Sequence, residues 1–188
     1  MTKFLQVSET LTALAACALQ LVCRLSRIQT MRKTTQQIAL GAEAILLKSG
    51  RSPALAAQAG ADCAWLEAVS YPGLNLLVEA LADAETHPVL EKDVLGLDLQ
   101  NVSCVFLAAR VQELIMQHGR LFLRNVRHGL YLLPGSVAGN YGIGCPVDPG
   151  FGLGGERGKH PYAEKLANAA RDGVEVDETV WQALQARM

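Results

Sequence analysis

Residues 53–70 read PALAAQAGADCAWLEAVS and decide the fold, because they predict a helix that other helices can approach closely. Ser52 precedes this stretch and Pro53 opens it. Serine caps the free amides at a helix start, and proline is tolerated in the first helical turn. The many alanines keep side chains short and so permit close helix–helix packing. The apolar stripe along one side of the helix is formed by Leu55, Ala59, Cys63 and Leu66.

Further segments carry the apolar spacing or the boundary residues of helices. Ser49 and Gly50 end the first of them, and Gly173 ends a later one. The first residues of the segment 102–117 would also fit a strand. The sequence therefore predicts a mainly α, helical bundle-like domain. Its predicted helices, besides residues 53–70, cover residues 34–48, 74–85, 102–117 and 161–173, and a short C-terminal helix follows Asp177.

A small β element is predicted between the helices, which makes the fold class α+β with helices dominant. Residues 120–126, RLFLRNV, alternate in the manner of a strand. Residues 129–134, GLYLLP, predict a second strand, and a turn over residues 127–129 would join the two into a β-hairpin. The acidic residues 87–100 predict a loop with short extended pieces.

Residues 139–161, GNYGIGCPVDPGFGLGGERGKHP, predict a long, ordered Gly-rich loop. Eight of these residues are glycine and three are proline. A long loop without regular structure is uncommon in a compact domain unless it is functional or disordered. Tyr141, Ile143, Val147, Phe151 and Leu153 can anchor it, which favours an ordered, functional loop.

Two nucleotide-binding patterns almost fit this Gly-rich stretch. Residues 150–155 satisfy G-x-G-x-x-G, but a dinucleotide site needs that pattern directly after a strand and at a helix start. Pro149 precedes the pattern here. The phosphate-loop pattern fails because Leu153 replaces its first glycine and His160 its Ser/Thr. Chance matches in a glycine-rich tract explain both, and we predict no cofactor.

The N-terminal residues 1–30 contain a strongly apolar stretch, LTALAACALQLVCRL, at residues 11–25. It is shorter than the ~20 residues that span a bilayer, so no membrane span is predicted. Three interpretations stay open: an N-terminal helix that packs on the body or on a partner, an upstream extension before Met31, and a signal or lipoprotein segment. Residues 31–188 are predicted to form a single globular domain. If residues 1–30 are native, their apolar surface needs to be covered, and a homo-oligomer is therefore predicted.

Net charge and cysteine content disfavour several classes of protein. The formal net charge is −1, which disfavours a dedicated nucleic-acid or membrane-surface protein. The five cysteines are odd in number and form no CxxC pair, which disfavours a disulfide scaffold or a zinc ribbon. Reduced thiols and a cytoplasmic location follow as predictions. Cys145, His128 and His160 match no common metal-ligand spacing, so we predict no metal site.

Four basic residues are candidates for binding a small anionic ligand. Arg157 and Lys159 stand just before the predicted helix at Pro161, where exposed helix amides also attract anions. Arg124 and Arg127 lie in the predicted hairpin, and a guanidinium grips a carboxylate with two parallel hydrogen bonds.

An enzyme with a cysteine nucleophile is the alternative. Cys145 lies in the Gly-rich stretch, and such a thiol needs a lowered pKa and a nearby base. His128 and His160 are the candidate bases by proximity in sequence, and Asp148 would orient one of them. The competing interpretation of Cys145 is a small residue in a tight turn.

Nucleic-acid binding is disfavoured, although Phe122 and Tyr131 stand among several arginines. The chain as a whole is near neutral, and the acidic residues 83–98 offer these arginines an internal partner.

The stretch from residue 42 to residue 81 resembles the opening of an uncharacterised bacterial family of unknown function. Members of that family have a short helix, a turn containing glycine, and an alanine-rich helix ending in Trp-Leu-Glu. Residues 174–184 are similar to a late segment of the same family. The resemblance implies a bacterial, cytoplasmic protein of unassigned activity and brings no catalytic residues. The residues that carry it are Gly50, Trp65, Leu66, Glu67, Gly73 and Leu74.

From the sequence we therefore predict an accessory or binding module that takes a partner protein or a small anionic metabolite through the Gly-rich stretch. The small enzyme with Cys145 and His128 or His160 remains the alternative.

Overall fold

The computed structural model describes residues 29–82, 90, 92–93, 96–147, 150–156 and 162–188, without the side chains of residues 92–93, 143–147 and 150–156. The chain divides into two units, Met1–Thr30 and Met31–Met188. Every described helix lies in the second unit. No described helix has the length and apolar character needed to cross a membrane.

The described residues of the second unit fold mainly into helices, which confirms the predicted fold class. The helices are α1 (Thr35–Lys48), α2 (Pro53–Ala68), α3 (Gly73–Leu81), α4 (Cys104–His118), a 3₁₀ helix (Gly129–Leu132), α5 (Leu133–Ala138), α6 (Ala163–Asp172) and α7 (Glu178–Gln185).

Seven strands accompany the described helices and form two sheets. Two strands pair in one sheet, β1 (Thr30–Lys33) and β7 (Val174–Asp177). The other sheet has the order β2-β3-β4-β6-β5, in which β3 and β4 are parallel and the neighbouring pairs are antiparallel. Its strands are β2 (Lys92–Asp93), β3 (Gly96–Asp98), β4 (Arg120–Arg124), β5 (Tyr141–Val147) and β6 (Gly150–Glu156).

Helix α2 is the centre of the helical layer and contacts α1, α3, α4 and α6. It begins as predicted, since Ser52 Oγ accepts the Leu55 amide at 3.4 Å. It packs closely on α1, because a Cβ on Gly60 would stand 2.6 Å from the Ala39 carbonyl oxygen. Leu55 of the predicted stripe is only half-buried. Buried on α2 are Ala56, Ala59, Gly60, Asp62, Cys63, Ala64, Leu66 and Ala68.

The other helix boundaries follow from local capping. Thr34 caps α1 in both directions: its hydroxyl accepts the Gln37 amide at 3.1 Å, and the Gln37 side chain accepts the Thr34 amide at 3.0 Å. Asp177 Oδ1 accepts the Thr179 and Val180 amides and so starts α7. Such caps satisfy amides that a helix start leaves without partners.

The predicted long Gly-rich loop is wrong, because Tyr141–Val147 and Gly150–Glu156 form the antiparallel strands β5 and β6. The physical reason is the register with β4. Leu153 and Phe151 stand opposite the buried Leu121 and Leu123. Gly152 and Gly154 stand opposite Phe122 and Arg120, which are exposed. Pairing with a buried strand offsets the entropy that glycine loses in a sheet.

The prediction of a second hairpin strand at residues 129–134 is also wrong. The strand at Arg120–Arg124 is confirmed, but residues 129–138 form the 3₁₀ helix and α5. His128 has φ of 56°, a left-handed conformation that turns the chain after β4. Pro134 then stands in the first turn of α5, where proline is favoured.

Candidate functional site

Most of the predicted reactive group lies outside the described residues. The backbone of Cys145 belongs to β5, but its side chain is not described, and neither are Asp148, His160, Arg157 and Lys159. The predicted pairing of Cys145 with a histidine and the predicted anion site at residues 157–159 therefore stay predictions.

Arg124 and Arg127 lie around the end of β4. Arg124 stands opposite Asp98 in the parallel pairing of β3 with β4. Hydrogen bonds from the Asn125 side chain and the Gln100 amide lower the pKa of Asp98, and the positive charge of Arg124 contributes. Arg127 is fixed through its carbonyl oxygen, which accepts the Cys104 amide at 2.9 Å.

His128 lies between a serine and a glutamate, a set that the sequence did not predict. Ser103 Oγ is 2.8 Å from His128 Nδ1, and His128 Nε2 is 3.2 Å from Glu79 Oε2. The imidazole is buried, with 7% of its side chain exposed, whereas the Glu79 side chain is 60% exposed. The three residues thus join α3, the N-terminus of α4 and the turn after β4.

This set of serine, histidine and carboxylate joins three elements of the fold and is not arranged as a hydrolytic triad. A hydrolytic serine needs an accessible hydroxyl and free amides that stabilise an oxyanion. Ser103 is 1% exposed, and its Oγ already accepts the Val105 amide at 3.1 Å as the N-cap of α4. The neighbouring Cys104 amide is bound to the Arg127 carbonyl oxygen. The hydroxyl therefore has neither access nor an adjacent oxyanion-binding amide at Cys104.

A second buried polar group lies on α2. Asp62 is 4% exposed, and Gln58 Nε2 donates to its Oδ1 at 2.9 Å. Burial raises the pKa of Asp62 to about 7, so this carboxyl is largely protonated in mildly acidic solution. Burial also raises the pKa of the adjacent Cys63 thiol, to about 12. Tyr131, which is fully buried, donates its hydroxyl to the Gly73 carbonyl oxygen at 2.9 Å.

A cavity among the described residues lies where α2 meets α3, opposite α6 and β7. Its volume is about 600 Å³. Pockets of roughly 300–1,000 Å³ hold small molecules in other proteins. We call it the α2–α6 pocket. Its polar lining includes Glu67, Ser70 and Tyr71 from one side and Lys165, Asn168 and Asp172 from the other.

Backbone groups of the two helix ends hold the charged side chains of the α2–α6 pocket. Lys165 Nζ donates to the Val69 carbonyl oxygen at 3.0 Å, at the C-terminus of α2. Glu67 Oε1 accepts the Leu74 amide at 2.7 Å, at the N-terminus of α3. Burial raises the pKa of Glu67, and the amide hydrogen bonds oppose that rise. Each charge thus sits at the helix end whose dipole stabilises it.

The pocket lining includes Ser70, which has a positive φ, and Tyr71, which belongs to an aromatic cluster. Ser70 has φ of 69°, an uncommon conformation for a residue with a side chain. Tyr162 makes edge-to-face contacts with Trp65 and Tyr71, at ring-centroid distances of 5.0 and 6.2 Å. Trp65 also borders an apolar groove of about 390 Å³ between α1, α2 and α6. Helix α6 therefore rests on α2 with a cavity on either side.

Sequence reasoning missed Glu67, Lys165 and Ser103 as site residues. Glu67 entered only as part of the Trp-Leu-Glu resemblance, and Lys165 looks like an ordinary surface charge on a polar helix. A signal existed for Ser103, because a serine directly before an apolar helix is a cap. No group of three or more potential metal ligands occurs within the described part of the chain.

The chain matches no protein-family model, no curated protein and no solved structure. The resemblance to a bacterial family therefore stays a prediction, and function has to be argued from the geometry.

Proposed function

We propose that the chain is a non-catalytic binding module that holds a small polar molecule in the α2–α6 pocket. The volume of that pocket, about 600 Å³, together with the two opposite charges fixed on its walls, carries this proposal. The class of function is the one that the sequence predicts, while the described residues that line the proposed site come from other parts of the chain.

The construction of the walls supports a binding role. Lys165 and Glu67 are each oriented by a backbone hydrogen bond, so little side-chain entropy remains to be lost when a ligand arrives. Ser70 at the same rim takes the left-handed conformation that ends α2: its amide donates to the Glu67 carbonyl oxygen at 3.0 Å, and the Tyr71 amide donates to the Leu66 carbonyl oxygen at 2.8 Å.

The small enzyme with a Cys145 nucleophile remains an alternative proposal, and so does an anionic metabolite or protein partner held near Arg157 and Lys159. A cytoplasmic location is also part of the proposal. It is supported by the odd number of cysteines and by the free, buried thiols of Cys63 and Cys104.

Blocking the pocket tests the proposal. Asn168→Trp places a large ring at the pocket lining, whereas Ala167→Trp places the same ring on an exposed neighbouring position of α6. A panel of small metabolites is screened for a rise in Tm, and compounds that raise it are titrated by calorimetry. We expect saturable binding that Asn168→Trp abolishes and Ala167→Trp preserves. Binding that survives Asn168→Trp would place the ligand elsewhere, and a panel without any binder would count against a small-molecule role.

A further inference from the structure

We propose that the ligand of the α2–α6 pocket is an α-amino acid or a closely similar zwitterion, with its carboxylate on Lys165 and its ammonium on Glu67. This inference rests on the proposed function, because it names the class of molecule that the same pocket takes.

The first argument is the pairing of charges around the pocket. Its other two carboxylates each have an arginine partner: Asp172 with Arg171 at 2.8 Å, and Glu175 with Arg32 at 3.3 Å. Glu67 and Lys165 form no ion pair with each other or with another side chain in the described part of the chain. The pocket thus keeps one acid and one base apart, each without a charged partner.

The second argument is the bonding capacity left on each group. An ammonium has three donors, and Lys165 uses one of them on the Val69 carbonyl oxygen. A carboxylate has about four acceptor sites, and the amides of Leu74 and Gly73 occupy part of those on Glu67. Both groups can therefore bind a ligand without releasing the backbone atoms that orient them.

The third argument concerns desolvation. Glu67 is half-buried, and its burial disfavours the charged form of the carboxyl. A ligand ammonium beside Glu67 would favour the charged form again, since an opposite charge stabilises a carboxylate that has lost water. A dianionic ligand would bring a second negative charge against Glu67 and Asp172, and a diamine would bring a second positive charge against Lys165. A molecule with one charge of each sign avoids both repulsions.

Calorimetry with the common α-amino acids, one at a time, tests the inference on the full chain. For the amino acid that binds most tightly, the decarboxylated amine and the N-acetyl derivative are measured next. We expect each derivative to bind at least about tenfold more weakly, because each loses one charge-assisted contact.

Variants then assign each charge to its partner. Lys165→Met keeps most of the side-chain length. It should lower the affinity for the amino acid about tenfold and leave the affinity for the amine unchanged. Lys165→Arg keeps the positive charge and should retain most of the affinity. Glu67→Gln keeps an acceptor for the Leu74 amide and should weaken the amino acid but not its N-acetyl derivative. Lys48→Met is the control, because it also removes a lysine whose Nζ donates to a main-chain oxygen, that of the last residue Met188 at 2.7 Å, and Lys48 does not line the pocket.

Failure of the inference is distinguishable from failure of the proposed function. Suppose that no amino acid binds, but that a sugar, a diamine or a dicarboxylate binds and Asn168→Trp abolishes this binding. The pocket is then a binding site, and the proposal of a zwitterionic ligand is wrong. If Lys165→Met weakens the amine as much as the amino acid, the assignment of the carboxylate to Lys165 is wrong. If nothing in the panel binds, both proposals fail.

Discussion

Ser103 Oγ lies 2.8 Å from His128 Nδ1, and the two residues form a buried link. Ser103 Oγ also accepts the Val105 amide at 3.1 Å. The other ring nitrogen of His128, Nε2, lies 3.2 Å from Glu79 Oε2. Two residues far apart in sequence thereby hold the start of α4 against the left-handed turn that ends β4.

Ser103→Ala should destabilise the fold more than the loss of an ordinary helix cap. The cap itself is worth about 1 kcal/mol, and the loss of the buried hydrogen bond to His128 costs about 1 kcal/mol more. Urea unfolding measures the difference, and Ser52→Ala is the control, because Ser52 only caps α2. Equal losses for the two variants would show that the bond to His128 contributes nothing. Labelling of Ser103 by a fluorophosphonate would contradict its structural role.

Asp62→Asn should stabilise the protein, and the gain should grow with pH. The ordinary pKa of 3.8 applies to the unfolded chain, whereas burial raises the pKa in the folded state to about 7. Between these values the folded state binds more protons, so stability falls as pH rises, and the full penalty is present above about pH 7. Asparagine cannot ionise and removes that penalty, which is on the order of 4 kcal/mol at ~1.4 kcal/mol per pKa unit.

Unfolding free energies of Asp62→Asn and the parent chain, measured from about pH 4 to pH 8, check this expectation. Glu113→Gln is the control, because Glu113 pairs with Arg110 on the exposed surface of α4. A difference between Asp62→Asn and the parent that stays constant across the range would mean that Asp62 is ionised at an ordinary pKa.

Local chemistry made the helices predictable and left the sheet and the pocket hidden. Ser52 and Pro53 mark the start of α2, and Gly173 marks the end of α6, because helix boundaries depend on neighbouring residues. The glycines of β6 look like a loop until Leu121 of β4 is placed opposite Leu153, and that register is a tertiary contact. Intrinsic propensity is a weak guide where pairing decides the conformation.

The site was harder to predict than the fold for the same reason. Lys165 and Glu67 come from helices far apart in sequence, and each looks like a solvated charge within its own helix. Only the packing of α6 on α2 brings both onto one cavity. His128 was predicted as a candidate base from its proximity to Cys145 in sequence, and its contacts with Ser103 and Glu79 were not predicted.

Gly60→Ala should destabilise the protein, although the same change on an exposed helix surface stabilises. Alanine favours a helix over glycine by about 1 kcal/mol. The added Cβ would stand 2.6 Å from the Ala39 carbonyl oxygen, so α1 and α2 would have to separate, at a cost of about 1–3 kcal/mol. Thermal unfolding measures the net change. Ala57→Gly, at an exposed position of α2, is the control and should lower stability by about 1 kcal/mol. A rise in Tm for Gly60→Ala would mean that the two helices are not in close contact.

Cys63 and Cys104 should resist alkylation in the folded protein. Both are fully buried, and burial raises the pKa of each thiol to about 12. At pH 8 only about one such thiol in ten thousand is a thiolate, the form that reacts with iodoacetamide. Mass spectrometry after native labelling should therefore find both residues unmodified, and labelling in urea should modify both. Native modification of either would mean that the packing of α2 against α4 opens readily.

Labelling with iodoacetamide also tests the alternative enzyme proposal. A nucleophilic Cys145 should react fast with the reagent, and the pH dependence of the reaction should give an apparent pKa well below ~8.5. If Cys145 reacts as slowly as Cys63 in the folded chain, it is not an activated nucleophile, and the binding module remains the better account of this fold.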